Sequence, residues 1–305
     1  MRVKNKSFIY AVITVLIWST LASVVKSLLH NIPNLEALCI SSLLASLSLL
    51  AGNLVGGRWH QMKAYSLKDY GIMAGLGFIG LYLYGALYYF GLSQLSSQEA
   101  CILNYLWPAM LVLFSCLILK ERITPAKMAA LLCSFIGVIV LTFGGGEGSG
   151  ESTVLGVAAC IAAAVCYGLF SVLNKKRDYD QGIAMMVMWM TAAVCGMISG
   201  RLTEQWVMPE GSQWFGMLWL GIMVDAVAYL FWALALKEAE NTAAVANLAY
   251  LTPFLSLIVS AAFLKEKTTI NAVFALILIV GGILLQNITA ERERGQKNPD
   301  ADRNQ

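Results

Sequence analysis

Charge is what this chain has least of. Only 13% of its 305 residues are Asp, Glu, Lys or Arg, while 58% are hydrophobic. A soluble domain carries roughly a quarter charged residues, so a water-facing globule is excluded. Histidine is almost missing: His30 and His60 both fall in predicted loops, which leaves no imidazole at membrane depth for a metal centre. The seven cysteines (Cys39, Cys101, Cys116, Cys133, Cys160, Cys166 and Cys195) sit inside predicted spans, without a CxxC and without loop pairs. Cysteine behaves there as a small apolar residue, so neither a disulfide frame nor a metal site is expected, and no cofactor. The glycine-rich stretch GGGEGSGES at 144–152 lacks the Gly-Lys-Ser/Thr ending of a phosphate loop. It reads as a flexible hinge. A net charge of +3, spread over many short loops, points to no nucleic acid. No small-residue cleavage pattern follows the first apolar run, so the first helix is expected to be retained.

Long apolar runs are what remains. Mean hydropathy is +0.69, and runs of about 18 or more apolar residues read as helices spanning a bilayer. They lack the period-2 alternation of a membrane barrel. The expected fold is an all-α polytopic membrane protein with ten transmembrane helices. They are placed at 7–29, 34–55, 69–91, 96–118, 126–143, 153–174, 182–200, 213–236, 243–264 and 270–288. The link at 144–152 separates 1–143 from 153–288, and 289–305 is a polar tail. Basic residues set the orientation. With the amino terminus inside, 17 of the 21 fall on the cytoplasmic side, against Arg201, Lys265 and Lys267 outside, Lys26 lying within the first span. Both termini are therefore expected in the cytoplasm.

The chain is also a duplication. NYLWPAMLVLFSCLILKERITP, from Asn104 to Pro125, returns 145 residues later as AYLTPFLSLIVSAAFLKEKTTI. Nine of 25 positions are identical between 100–124 and 245–269, including Pro108 with Pro253 and Lys120-Glu121 with Lys265-Glu266. Trp18 and Lys26 match Tyr167 and Lys175 at an offset of 149. Five spans per half is an odd number, so the second copy enters upside down. Inverted repeats around a midplane site are the architecture of many secondary transporters.

These features resemble the drug/metabolite transporter superfamily, of the bacterial EamA-like kind named for amino-acid and metabolite export. The resemblance rests on the two inverted five-helix halves, the aromatic-Pro…Leu-x-x-Glu-[Arg/Lys]-x-Thr segment in both, and the Trp18-Ser19 turn. Asn104-Tyr-Leu-Trp-Pro108, with Glu99 before it, is similar to the aromatic amino-acid exporter branch. The resemblance implies export of amino acids or similar metabolites across a prokaryotic cytoplasmic membrane, through a cavity lined by helices 1, 3, 4, 6, 8 and 9. Trp18, Tyr82, Trp107 and Tyr167 match its aromatic cavity positions. Asp225 departs from it, standing where members commonly carry a small or hydroxyl residue.

The residues carry their own argument. Asp225 lies near the middle of the eighth span, and an ionisable group there costs at least ~2.5 kcal/mol unless it faces a cavity or a partner. Tyr229 and Trp232 follow at i+4 and i+7 on the same face. Asp225 is read as a proton or cation site, or else as a hydrogen bond between helices. Asn104 and Trp107 share a face beside Pro108, which frees a carbonyl one turn earlier; Asn247 and Tyr250 repeat the pattern beside Pro253. Freed carbonyls at membrane depth need protein, water or substrate as partner, so each pattern is either a substrate contact or a packing kink. Tyr82 is deep enough to line a cavity, while Tyr88 and Tyr89 read as an interfacial belt. Lys26 reads as snorkelling to the outer surface, and Glu99 as suiting the dipole at the start of helix four. Glu121 and Glu266 are expected to pair with basic neighbours. Gly71-x-x-x-Gly75 and Gly196-x-x-x-Gly200 suit close helix packing, within the chain or across a homodimer.

No catalytic residues are assigned. An intramembrane enzyme needs a nucleophile–base pair or a metal set at depth, and no histidine lies in a span. A channel or receptor-like subunit calls for a ring of like charges or a repeated filter, and neither is visible. Within transport, a multidrug or cationic-compound exporter and a metabolite importer stay open beside the amino-acid exporter. The partners expected are a small-molecule substrate and the lipid bilayer.

Overall fold

The computed structural model describes residues 2–118, 120, 125–143, 154–237 and 247–282. Among the described residues there is no strand. The helices are α1 (Arg2–Trp18, then Leu21–Leu28), α2 (Asn34–Val55), α3 (Leu67–Gln94), α4 (Ser97–Ile118) and α5 (Pro125–Phe143). There follow α6 (Val154–Lys175), α7 (Gln181–Thr203), α8 (213–237), α9 (247–263) and α10 (Ile270–Gly282). Seven helices among the described residues are long and apolar enough to cross a membrane: the full lengths of α1 from Lys6, α2, α3, α4, α6 and α7, and Gln213–Trp232 of α8.

Helix starts are set by side-chain acceptors, because the first turn of a helix leaves its N–H groups unpaired. Ser66 with Asp69 and Ser96 with Glu99 form capping boxes on α3 and α4. Asp180 accepts from Ile183 N at 3.1 Å to start α7. Two carboxylates act from a distance in sequence. Glu204 accepts from Leu35 N at 3.0 Å and Glu36 N at 3.2 Å at the head of α2. Glu266 accepts from Ser97 N at 2.9 Å and Gln98 N at 3.3 Å at the head of α4. That corrects the expectation for Glu266, whose partners are helix donors rather than basic side chains; a carboxylate gains there from both the open N–H groups and the dipole. Glu121 lies outside the described residues.

The sequence repeat reappears as matched geometry. Lys120 and Lys265, 145 positions apart, both have φ of 56°, the left-handed turn that closes a helix. A π-helical stretch interrupts α3 at Phe78–Leu83 and α8 at Trp219–Ala228. A turn splits α4 at Tyr105-Leu106 ahead of Pro108, and a short 3-10 helix, Asn247–Leu251, precedes Pro253 in α9. Packing follows suit: α1 lies on α8 as α6 lies on α3, α2 on α8 as α7 on α3, and α1 on α9 as α6 on α4. The pairs α2–α7 and α4–α9 are their own counterparts.

Glycine allows the closest of these approaches. A β-carbon on Gly77 of α3 would stand 2.6 Å from the Met188 backbone in α7. One on Gly221 of α8 would stand 2.7 Å from the Ser41 carbonyl in α2, the matching contact in the other half. Gly196 and Gly200 meet Cys39, Leu35 and Trp206, whereas Gly71 and Gly75 have nothing within 4 Å of such an atom. The second Gly-x-x-x-Gly packs and the first faces outward. Gly77→Ala is therefore expected to cost about 1–3 kcal/mol, as overpacking does. Gly75→Ala should change stability by no more than about 0.5 kcal/mol. Thermal melts in detergent compare the two, and equal melting would contradict the α3–α7 contact.

Candidate functional site

The interruptions converge on one cavity. It lies among α1, α3, α4, α6, α8 and α9, holds about 60 Å³, and is walled by Trp18, Leu21, Ala22, Tyr84, Tyr88, Cys101, Asn104, Tyr105, Trp107, Tyr167, Tyr229 and Thr252. The aromatic rings form a continuous chain. Trp107 meets Tyr167 edge-on at 5.2 Å, Tyr167 meets Tyr84 at 4.9 Å, and Tyr84 stacks with Tyr88 at 5.9 Å. On the other wall Trp18 meets Tyr229 edge-on at 5.3 Å. The Asn104 amide donates to Tyr84 Oη at 3.1 Å, while its carbonyl oxygen is buried without a partner. Among the described residues no Asp, Glu, Lys or Arg is in the lining. Preformed ligand pockets run to roughly 300–1,000 Å³, so this conformation is contracted and a ligand needs the walls to part.

Of the residues singled out in the sequence, Trp18, Asn104, Trp107, Tyr167 and Tyr229 come together here. Trp232 stands one layer back, 5.5 Å from Trp18, against Tyr10, Ala11 and Ala235. Tyr82 turns away and packs on Phe78 at 5.4 Å; its place belongs to Tyr84 and Tyr88. The reason is the π-helical stretch ending at Leu83. Its i→i+5 pairing turns less per residue than an α-helix, so a face drawn at 3.6 residues per turn is wrong beyond it. Tyr88 and Tyr89 are 2% and 4% exposed, which corrects the belt reading: helices, not headgroups, surround them. Lys26 is corrected as well. Its Nζ does not run to the surface but donates to the Leu92 and Leu95 carbonyls at 2.7 and 2.6 Å.

Asp225 is 5% exposed and absent from the lining. It lies within the π-helical part of α8 with the Ser41 hydroxyl of α2 beside it, and its Oδ2 has no partner. Asn247 and Tyr250 belong by their backbones to the 3-10 helix, and their side chains lie outside the described residues. Sequence reasoning missed Thr252, although it stands 145 positions from Trp107 and so occupies the repeat's equivalent place. Tyr105 carried the same signal, standing 145 positions before Tyr250, whereas Tyr84 and Cys101 offered none.

The EamA-like transporter family matches the sequence twice, over residues 5–143 and 154–288. The chain belongs to the EamA-like transporter family. Within that family setting, the aromatic amino acid exporter YddG of Ancylobacter novellus is 31% identical over 222 residues, covering 72% of this chain and 76% of that protein. The uncharacterized transporter YvbV of Bacillus subtilis is 26% identical over 302 residues, covering 95% and 94%. A crystal structure at 25% identity superposes with a TM-score of 0.68 over 95% of this chain and 99% of its own. The protein is thus a multi-pass membrane transporter.

The geometry of α3 makes a direct comparison possible. Tyr84→Ala is expected to reduce transport by tenfold or more on the order of a lost buried aromatic contact, and Tyr82→Ala far less. Initial rates at matched expression decide it; the reverse ranking would place the solute on the other face of α3.

Proposed function

We propose that this EamA-like protein is a secondary transporter that exports amino acids, aromatic ones foremost, or similar small metabolites from the cytoplasm. One observation carries the reading: a cavity walled by tryptophan and tyrosine in which the Asn104 carbonyl oxygen is a buried acceptor without a partner, the Thr252 hydroxyl being the other orphaned polar atom among the described residues. An ammonium group donates to that oxygen and is attracted to the faces of Trp18 and Trp107. An aromatic side chain packs on the remaining rings. Among the described residues the lining holds no carboxylate, which weighs against a permanent cation as the substrate. The name of the Ancylobacter novellus relative, an aromatic amino acid exporter, supports the same substrate class.

The architecture proposed is ten crossings of the bacterial inner membrane in two inverted halves, 1–143 and 153–288, joined by 144–152. Both termini, including the 289–305 tail, are cytoplasmic, as the 17 to 3 distribution of basic residues implies. The halves rock about the midplane cavity, which opens to each side in turn. Asp225 is assigned to proton coupling rather than to substrate contact, because it stands behind the wall between α8 and α2. An intramembrane carboxyl in that position is a candidate proton carrier by default.

Counterflow in proteoliposomes tests both assignments. Preloaded phenylalanine, tyrosine or tryptophan should drive uptake of its labelled form, and Trp107→Ala should abolish most of it while melting like the parent. Asp225→Asn should keep this exchange but lose accumulation driven by a proton gradient. Exchange of cationic dyes without exchange of any amino acid would overturn the substrate class. Unaltered proton-driven accumulation in Asp225→Asn would reduce that residue to a structural hydrogen bond.

A further inference from the structure

The second part of α1, Leu21–Leu28, is set off from the first by a turn at Ser19-Thr20. At the break, Thr20 N bonds Ile17 O at 3.1 Å, and the Ser19 and Thr20 hydroxyls each bend back 2.7 Å to a carbonyl three residues earlier. Leu21 and Ala22 of this segment are part of the central cavity's wall. On its other flank lies a second cavity of about 660 Å³, bounded by the start of α8 and the end of α9. Along that flank lie Thr20, Ser23 and Ser27, spaced so that they share one helical face, with Asn31 in the turn beyond α1. Ser23 is 3% exposed and its hydroxyl has no partner. A polar stripe, an orphaned hydroxyl and empty space on one side of a broken helix are those of a segment with a second resting place.

Besides the core packing of Ala22, Val25 and Leu28, one charged side chain ties the segment to α3. Lys26 Nζ donates to Leu92 O and Leu95 O at 2.7 and 2.6 Å, at the carboxyl end of α3, where the dipole favours a cation. Glu99 at the head of α4 and Glu266 after α9 are the carboxylates that attract it from nearby. Its repeat counterpart Lys175 is exposed and has no bonded partner among the described residues. Of two matched lysines, one is engaged and the other is not, as expected of a two-state device caught in one state.

We propose that Leu21–Leu28 is the outer gate of the transporter, that Lys26 is its latch, and that the hydroxyl-lined cavity is the space the segment enters on opening. The proposal rests on transport through the aromatic cavity in the orientation given above, and not on which amino acid is carried. Release of Lys26 lets Leu21 and Ala22 withdraw from the cavity wall. The segment then carries Ser23 and Ser27 toward Trp219 and the end of α9, and solute gains a way out.

Cys101 is a built-in reporter, since it lines the central cavity and is 5% exposed. With the other six cysteines replaced by alanine, its reaction with a membrane-impermeant methanethiosulfonate is measured from each face of oriented vesicles. No substrate is needed. Lys26→Met should raise the rate from the outer face by roughly tenfold or more, the scale of one lost hydrogen bond from a charged donor. Lys26→Arg should stay near the parent, and Ser27→Trp, which fills the second cavity, should react several-fold more slowly. A parental rate in a Lys26→Met protein that melts normally would overturn the latch. Acceleration from the cytoplasmic face alone would overturn the outer gate. If Lys26→Met does not fold, Ser27→Trp decides: slower labelling supports the gate and unchanged labelling overturns it. Failure of the amino-acid reading would show instead as absent counterflow in the parent, with these labelling rates unaffected.

Discussion

Hydrocarbon gives an unpaired backbone N–H or C=O no partner, so a helix can break inside a bilayer only where protein supplies one. This structure breaks helices repeatedly, and side chains meet the breaks in α1, α8 and α9. The Ser19 and Thr20 hydroxyls take up carbonyls at the turn in α1. Thr14 donates to Ala228 O at 3.2 Å where the π-helical part of α8 ends, and Ser7 to Ala235 O at 2.7 Å further along. Tyr105, at the break in α4, sends its hydroxyl 2.9 Å to Ala249 O in the 3-10 turn of α9. A tyrosine at the break in α4 thus satisfies a carbonyl at the break in α9, and the cavity lies between them.

The same constraint explains why the matched halves pack as they do. A π-helical stretch widens a helix and shifts the residues beyond it; glycine at or beside that stretch lets the neighbouring helix close in. Gly77 against α7 and Gly221 against α2 are the two instances, one in each half. These contacts hold α3 to α7 and α8 to α2, while α1, α4 and α9 carry the remaining breaks. The scaffold is dense where glycine permits it, and the cavity lies among the interrupted helices and the continuous α6.

Much of this was legible in the residues. The membrane class follows from apolar run length, and the duplication from Pro108 with Pro253 and the Leu-Lys-Glu triplets, which return as twin φ values at Lys120 and Lys265. Trp18, Asn104 and Trp107 were reachable because each lies beside a proline or a Ser-Thr pair written in the chain, Tyr167 because it matches Trp18 at an offset of 149, and Tyr229 by its spacing from Asp225. Tyr84 was not, since nothing in FIGLYL announces a π-helical register and a 3.6-residue face selects Tyr82 instead. Asp225 fell to the same cause: it sits within the π-helical part of α8 and shares the helix with Tyr229 without sharing the cavity. Lys26 and Glu266 depended on which helix ends meet in space, which local spacing does not encode.

The central claim is that an aromatic cavity with one orphaned carbonyl recognises an ammonium group. Equilibrium binding of phenylalanine and of 3-phenylpropionate, which keeps the ring and carboxylate but lacks the amine, isolates that contact. Titration calorimetry on the purified protein is expected to show phenylalanine binding roughly tenfold or more tightly than its deamino analogue, the worth of one charge-assisted hydrogen bond. The same ratio should collapse toward one in Asn104→Leu. Equal affinity for the two compounds in the parent protein would contradict the account.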